Sequence, residues 1–226
     1  MCSIILIGTG HWELGLYNSD ELLKIIEGIA PEIIFEETNR RQHDPVYAGV
    51  REDTLETYTI KRYLQLHPID HLPVDLDTDP SIEGPIANGY SQLSKFFKSK
   101  SPEYDHLSNQ LLQLAFKFGL PFMNSGQCRA IREQIMFLEK TFLERINQPH
   151  FHEVYNNWLD LNDRRENEMI KNIYNNIEGY NNALFLVGAE HRQPLINKIL
   201  KFETNDKMKL NWVFNYFELL IKKDIR

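Results

Sequence analysis

The chain has 226 residues, with 42% hydrophobic and 12% aromatic content, enough to bury a sizeable core. A formal net charge of −7 argues against a nucleic-acid binder that relies on phosphate contacts, and no apolar run approaches the ~18 residues of a membrane span. Cys2 and Cys128 lie in no disulfide or zinc-ribbon pattern, and with no basic, signal-like leader the expectation is a cytoplasmic protein without membrane insertion.

In chain order, Ser3–Ile7 reads as a strand. A helix follows over 19–29, with Ser19 as N-cap and Leu22, Leu23, Ile25, Ile26 and Ile29 at apolar positions; Gly28 weakens its end and Pro31 stops it. Ile33–Phe35 is a second strand, 52–66 a second helix, and Leu72–Asp77 a third strand. Residues 78–102 contain Pro80, Gly84, Pro85, Gly89 and Pro102, and read as a loop-rich excursion with a short helix near 90–98. Helices are expected over 103–118, broken by Gly119-Leu120-Pro121, then over 127–147 and 151–178. Leu184–Val187 is another buried strand, with a helix over 193–200 behind it. The apolar and aromatic stretch 210–222 fits a strand leading into a helix.

One short pattern occurs twice. Ile4-Ile5-Leu6-Ile7-Gly8-Thr9-Gly10-His11 and Leu184-Phe185-Leu186-Val187-Gly188-Ala189-Glu190-His191 are each a continuous apolar run, then Gly-x-x-His. Runs of this kind are strands buried on both faces of a parallel sheet, and the glycine allows a sharp turn that leaves the histidine at the mouth of the sheet. The fold expected is α/β over 1–226: a mainly parallel sheet flanked by helices, two related halves, and a loop-rich and helical insertion at 78–180 between them.

The second strand ends in Glu36-Glu37, and a carboxylate there faces the same crevice as the two histidines. Alternation along a strand sends one of the pair elsewhere. His, His and carboxylate suit a divalent metal or acid–base work without one; both glutamates also fit solvated strand ends. Arg165, in Asp163-Arg164-Arg165-Glu166-Asn167-Glu168-Met169, could neutralise a Glu or stabilise an oxyanion, although the run also reads as a solvated helix face. His67 and His71 are four apart, yet Pro68 argues against one helix presenting both.

Taken together, Gly8-Thr9-Gly10-His11, Pro31-Glu32-Ile33-Ile34-Phe35-Glu36-Glu37, Arg165-Glu166-Asn167-Glu168-Met169 and Gly188-Ala189-Glu190-His191 resemble the TraB/PrgY/GumN superfamily, which includes the Tiki metalloproteases. ChaN-like and erythromycin-esterase-like proteins belong to the wider clan. The resemblance covers about half of the chain and implies a hydrolase. Either a metal-dependent peptidase holds zinc, manganese or cobalt on His11, Glu37 and His191, or a metal-independent esterase-like enzyme uses a histidine base. His11, Glu37 or Glu36, Arg165 and His191 are the catalytic candidates it implies, with Glu37 favoured by family spacing. Glu56 stands where relatives often carry another Glu, and Asp75 and Asp77 could line the cleft. A peptide or small molecule is the substrate expected. Glu190 and Arg192 flank His191 where the family carries small and apolar residues, which leaves room for a binding or signalling module that keeps the cleft without catalysis.

Overall fold

The computed structural model describes residues 2–205 and 209–224. The elements run β1 (Ser3–Thr9), α1 (Ser19–Ile29), β2 (Ile33–Glu36), α2 (Arg40–Tyr47), α3 (Leu55–Leu66), β3 (Asp70–Pro73), α4 (Pro80–Lys100), α5 (Pro102–Met123), α6 (Gly126–Ile146), α7 (Pro149–Asn176), β4 (Asn182–Gly188), α8 (Ala189–Asn205), β5 (Asn211–Val213) and α9 (Tyr216–Asp224). The five strands form one parallel sheet in the order β3-β2-β4-β1-β5. The fold is α/β, and α4–α7 intervene between β3 and β4. No helix among the described residues is long and apolar enough to cross a membrane.

Alternation along the strands builds a core on each face of the sheet. Ile4, Leu6, Ile33, Phe35, Ala183, Phe185 and Val187 pack beneath α7 and α8 with Met169, Ile170, Ile173, Leu195 and Ile199. Ile7, Ile34, Leu184 and Leu186 face the opposite way, onto Leu22 and Ile26 of α1 and Ile60 and Tyr63 of α3. Each fully buried side chain of this size contributes about 1.5–3 kcal/mol.

β1 and β4 are direct neighbours, paired from Ser3↔Asn182 to Thr9↔Gly188. The two Gly-x-x-His units therefore leave the sheet side by side, offset by one residue. Neither Gly8 nor Gly188 has positive φ. Their value is space rather than a sharp turn: a Cβ at Gly8 would lie 3.0 Å from Cδ of Arg192, and one at Gly188 3.0 Å from Oε2 of Glu37.

Several boundaries differ from expectation. Asn18, not Ser19, caps α1 by accepting from the Glu21 amide; the Ser19 hydroxyl donates to Glu13 instead. The stretch 78–102 is largely one continuous helix, α4, because Asp79 caps it and Pro80 sits in its first turn, where no amide partner is lost. Gly84 and Pro85 follow close behind and do not interrupt it. Helix α2 was not foreseen, and β3 begins at Asp70, which brings His71 onto the sheet. The expected break at Gly119 is present (φ 60°, ψ −146°). A Cβ there would meet the Leu16 carbonyl oxygen at 2.6 Å.

Candidate active site

A cleft of about 440 Å³ opens over the carboxyl ends of β1, β2 and β4, where open α/β sheets place ligands. His11, Glu36, Glu37, Glu56, Arg165 and Glu190 all line it.

The Glu36-Glu37 doublet divides by strand parity. Glu37 shares the facing of Ile33 and Phe35 and turns toward α7, where Arg165 Nη2 donates to its Oε1 at 2.7 Å. Arg165 also grips Asp75 through Nη2 at 2.6 Å and Nε at 3.0 Å, both to Oδ2. The Gly188 amide donates to Glu37 Oε2. Burial pushes the Glu37 pKa up, but the charges of His191 and Arg165 and the Gly188 amide outweigh it and hold the carboxylate below its ordinary range.

His191 sits in the first turn of α8 and is 2% exposed. Its Nε2 lies 3.4 Å from Glu37 Oε1 and 3.5 Å from Arg165 Nη1, and its Nδ1 lies 2.9 Å from Glu166 Oε1. Lys198 Nζ completes the row at 3.0 Å from Glu166 Oε2. Burial opposes a charge on His191, but Glu37 and Glu166 outweigh it and raise its pKa. As imidazolium, it balances this buried set: three acids (Glu37, Asp75, Glu166) against Arg165, His191 and Lys198.

His11 is in a different setting. Its side chain is 53% exposed at the cleft, and its Nδ1 lies 3.6 Å from Oε1 of Glu56. Glu56 occupies the first turn of α3 behind the Thr54 capping box, at the positive end of that helix. Neither of its carboxylate oxygens takes a hydrogen bond from a described residue. The Glu56 interaction outweighs desolvation and pushes the His11 pKa up to about 9. The loop is pinned: the Leu55 amide donates to the His11 carbonyl at 3.1 Å, and Tyr17 Oη bonds both the amide and the carbonyl of Gly10. Asn124 clamps Gly8 just before it, accepting from its amide at 2.7 Å and donating to its carbonyl at 2.9 Å.

The structure thus brings Glu37, Arg165 and His191 into contact, with Asp75 as a fourth member, and sets His11 beside Glu56 in the cleft that Glu37 and Arg165 line; His191 does not line that cleft but a second one, with Glu166 and Lys198. A divalent metal on His11, Glu37 and His191 does not fit this donor set. Both nitrogens of His191 face protein partners, and the fixed guanidinium of Arg165 already stands against Glu37 and His191. Arg192, expected to add charge beside His191, instead donates to the Phe214 carbonyl, away from the cleft.

Glu36 takes the other facing, toward α2 and β3. Its Oε1 lies 2.8 Å from His71 Nδ1 and 3.6 Å from His43 Nε2, and Tyr47 Oη donates to both its oxygens at 2.9 and 2.8 Å. Among the described residues, Glu36, His43 and His71 form a group of metal-ligating type, with one donor atom each, all within 4.8 Å of one another; they could hold a metal ion. His43 and Tyr47 escaped sequence reasoning with their helix, although their i, i+4 spacing behind the Asn39 cap was a readable signal. Glu166 was hidden in what read as a solvated helix face.

No protein-family model, no curated protein and no solved structure matches this chain.

Proposed function

We propose that the chain is a hydrolase of ester or amide bonds in a peptide or small molecule, acting in the cytoplasm, with His11 as the general base that activates water. The observation that carries this reading is the approach of half-exposed His11 to Glu56, whose buried carboxylate oxygens have no hydrogen-bond donor among the described residues. The charge of such a carboxylate stabilises the imidazolium formed when the histidine takes a proton from water. Glu37 and Arg165 line the cleft, with His191 against both: Arg165 fixes Glu37, and Glu37 binds the strand end at Gly188. Arg165 has Nε and Nη2 on Asp75 and Glu37 and turns Nη1 to His191, so its role is to orient Glu37 rather than to meet an oxyanion. Arg51 also lines the cleft and is the cation there that could meet one. The acids Glu36, Glu37, Glu52, Glu56, Glu83 and Glu190 outnumber the cations around the cleft and favour a substrate carrying positive charge.

A second reading, metal-dependent hydrolysis with zinc, manganese or cobalt, draws support from the Glu36–His43–His71 group rather than from His11 and His191. Chelator-treated protein assayed on panels of chromogenic esters and fluorogenic peptide amides separates the two. The base reading expects turnover that survives chelation and falls about 100-fold or more in His11→Gln. Turnover unchanged in His11→Gln, or no turnover on any panel, overturns it.

A further inference from the structure

We infer that Glu36, His43 and His71 form a zinc site on the α2 side of the cleft, separate from the Glu37–Arg165–His191 set. The three donor atoms are Glu36 Oε1, His43 Nε2 and His71 Nδ1. Their separations of 2.8, 3.2 and 3.6 Å straddle the roughly 3.3 Å edge of a tetrahedron with metal–ligand bonds of about 2.0–2.1 Å. A metal ion could therefore sit among them with little movement of any side chain. Protein donors alone satisfy this corner poorly. One imidazole N–H can point at the carboxylate oxygen or at the other ring, and the two ring nitrogens are held 3.2 Å apart.

The surroundings are those of a ligand set. His43 directs its other nitrogen, Nδ1, at Asp44 Oδ1, 3.1 Å away, the carboxylate–histidine arrangement that fixes the tautomer and raises the basicity of a metal-bound imidazole. Tyr47 donates to the Glu36 carboxylate and holds its plane. The rings of His43, Tyr47 and His71 pack on one another with centroids 4.3 to 5.0 Å apart, which limits their rotation. Glu36 is 4% exposed, and among the described residues no Lys or Arg pairs with it. Two imidazoles and a carboxylate select zinc over magnesium or calcium, which prefer all-oxygen sets. Three protein ligands leave one tetrahedral position for water or a substrate atom, and Glu36 itself lines the cleft.

This site goes beyond the hydrolase reading, and its test is independent of turnover. Untagged protein is stripped with chelator, then loaded with Zn²⁺ or with Co²⁺ as a spectroscopic probe. Bound metal is counted by mass spectrometry and affinity is read by competition with a chromophoric chelator. One Zn²⁺ per chain is expected, with the visible absorption of four-coordinate Co²⁺. His43→Ala and His71→Ala should each weaken binding by about 100-fold or more, while His11→Ala, His191→Ala and the variant His150→Ala, at an exposed position, keep it. Circular dichroism confirms that each variant is folded, and Glu36→Gln serves if either histidine variant is not. Absence of stoichiometric metal in the wild type, or binding that survives His43→Ala and His71→Ala, overturns the proposal; so does binding lost in His11→Ala or His191→Ala.

Discussion

Nη2 of Arg165 lies 2.7 Å from Oε1 of Glu37, and the same nitrogen reaches Asp75 at 2.6 Å. One guanidinium from α7 thus bridges two carboxylates, one at the end of β2 and one in the segment after β3, all three side chains nearly buried. Removing a single partner leaves the others charged and desolvated. Arg165→Ala is expected to destabilise the fold by about 3–5 kcal/mol. Arg165→Lys should recover only part of this, because an ammonium cannot reproduce the fork on Asp75. Urea unfolding measures both; a loss below about 1 kcal/mol in Arg165→Ala would show that the bridge is not formed in solution.

His191 makes stability depend on pH in a definite direction. Its folded-state pKa is raised above the ordinary imidazole value of about 6.5. Its contribution is therefore complete below that value and is lost as pH rises through the folded pKa. Glu37, with a lowered pKa, acts oppositely: its contribution is present above about 4.5, the usual carboxylate range, and fades in acid. Melting temperatures across pH should show a gap between wild type and His191→Gln that narrows on the alkaline side. A gap constant across the range contradicts a charged His191.

Tyr47 and Asp44 touch the inferred zinc ligands without supplying a donor themselves. Tyr47→Phe and Asp44→Asn are expected to lower Zn²⁺ affinity by about 10–100-fold while leaving the stoichiometry at one. Affinities equal to wild type in both variants would mean that these contacts do not orient the ligands.

Gly119 ties the helical insertion to the loop that carries His11. Its φ of 60° suits glycine, and its backbone packs on Leu16, next to the Tyr17 that holds Gly10. Gly119→Ala should cost about 1–3 kcal/mol or more through backbone strain and the clash with the Leu16 carbonyl. Turnover should fall as well, because the His11 loop loses its support. Wild-type stability in this variant would show that the kink is not fixed.

The parts of the fold legible in the sequence are those where burial writes a pattern. β1, β2 and β4 are apolar runs because a central parallel strand is covered on both faces. α1 shows its 22, 26, 29 stripe, although the cap expected at Ser19 is one residue earlier, at Asn18. Helix α2 is nearly all polar, Arg40–Tyr47 with Pro45 inside it, so periodicity has nothing to register. Its histidine was lost with it. α4 reads as a loop because Pro80, Gly84 and Pro85 lie close together, whereas Pro80 fits the first turn of a helix and Pro85 is carried inside it. In the site, the residue types and their order were readable, but partner choice was not. Strand parity separates Glu36 from Glu37 by one position, and only the packing of α2 and α7 shows which histidine each one meets.

The central claim, that His11 works as a base whose pKa is raised by Glu56, is tested most directly by the pH dependence of kcat/KM for wild type and Glu56→Gln on one substrate. The account predicts a wild-type rate that climbs from neutral pH and levels off near 9, the raised pKa of His11. In Glu56→Gln the same limb should move down toward about 6.5 and reach a lower plateau. A limb at the same pH in both proteins would contradict the account.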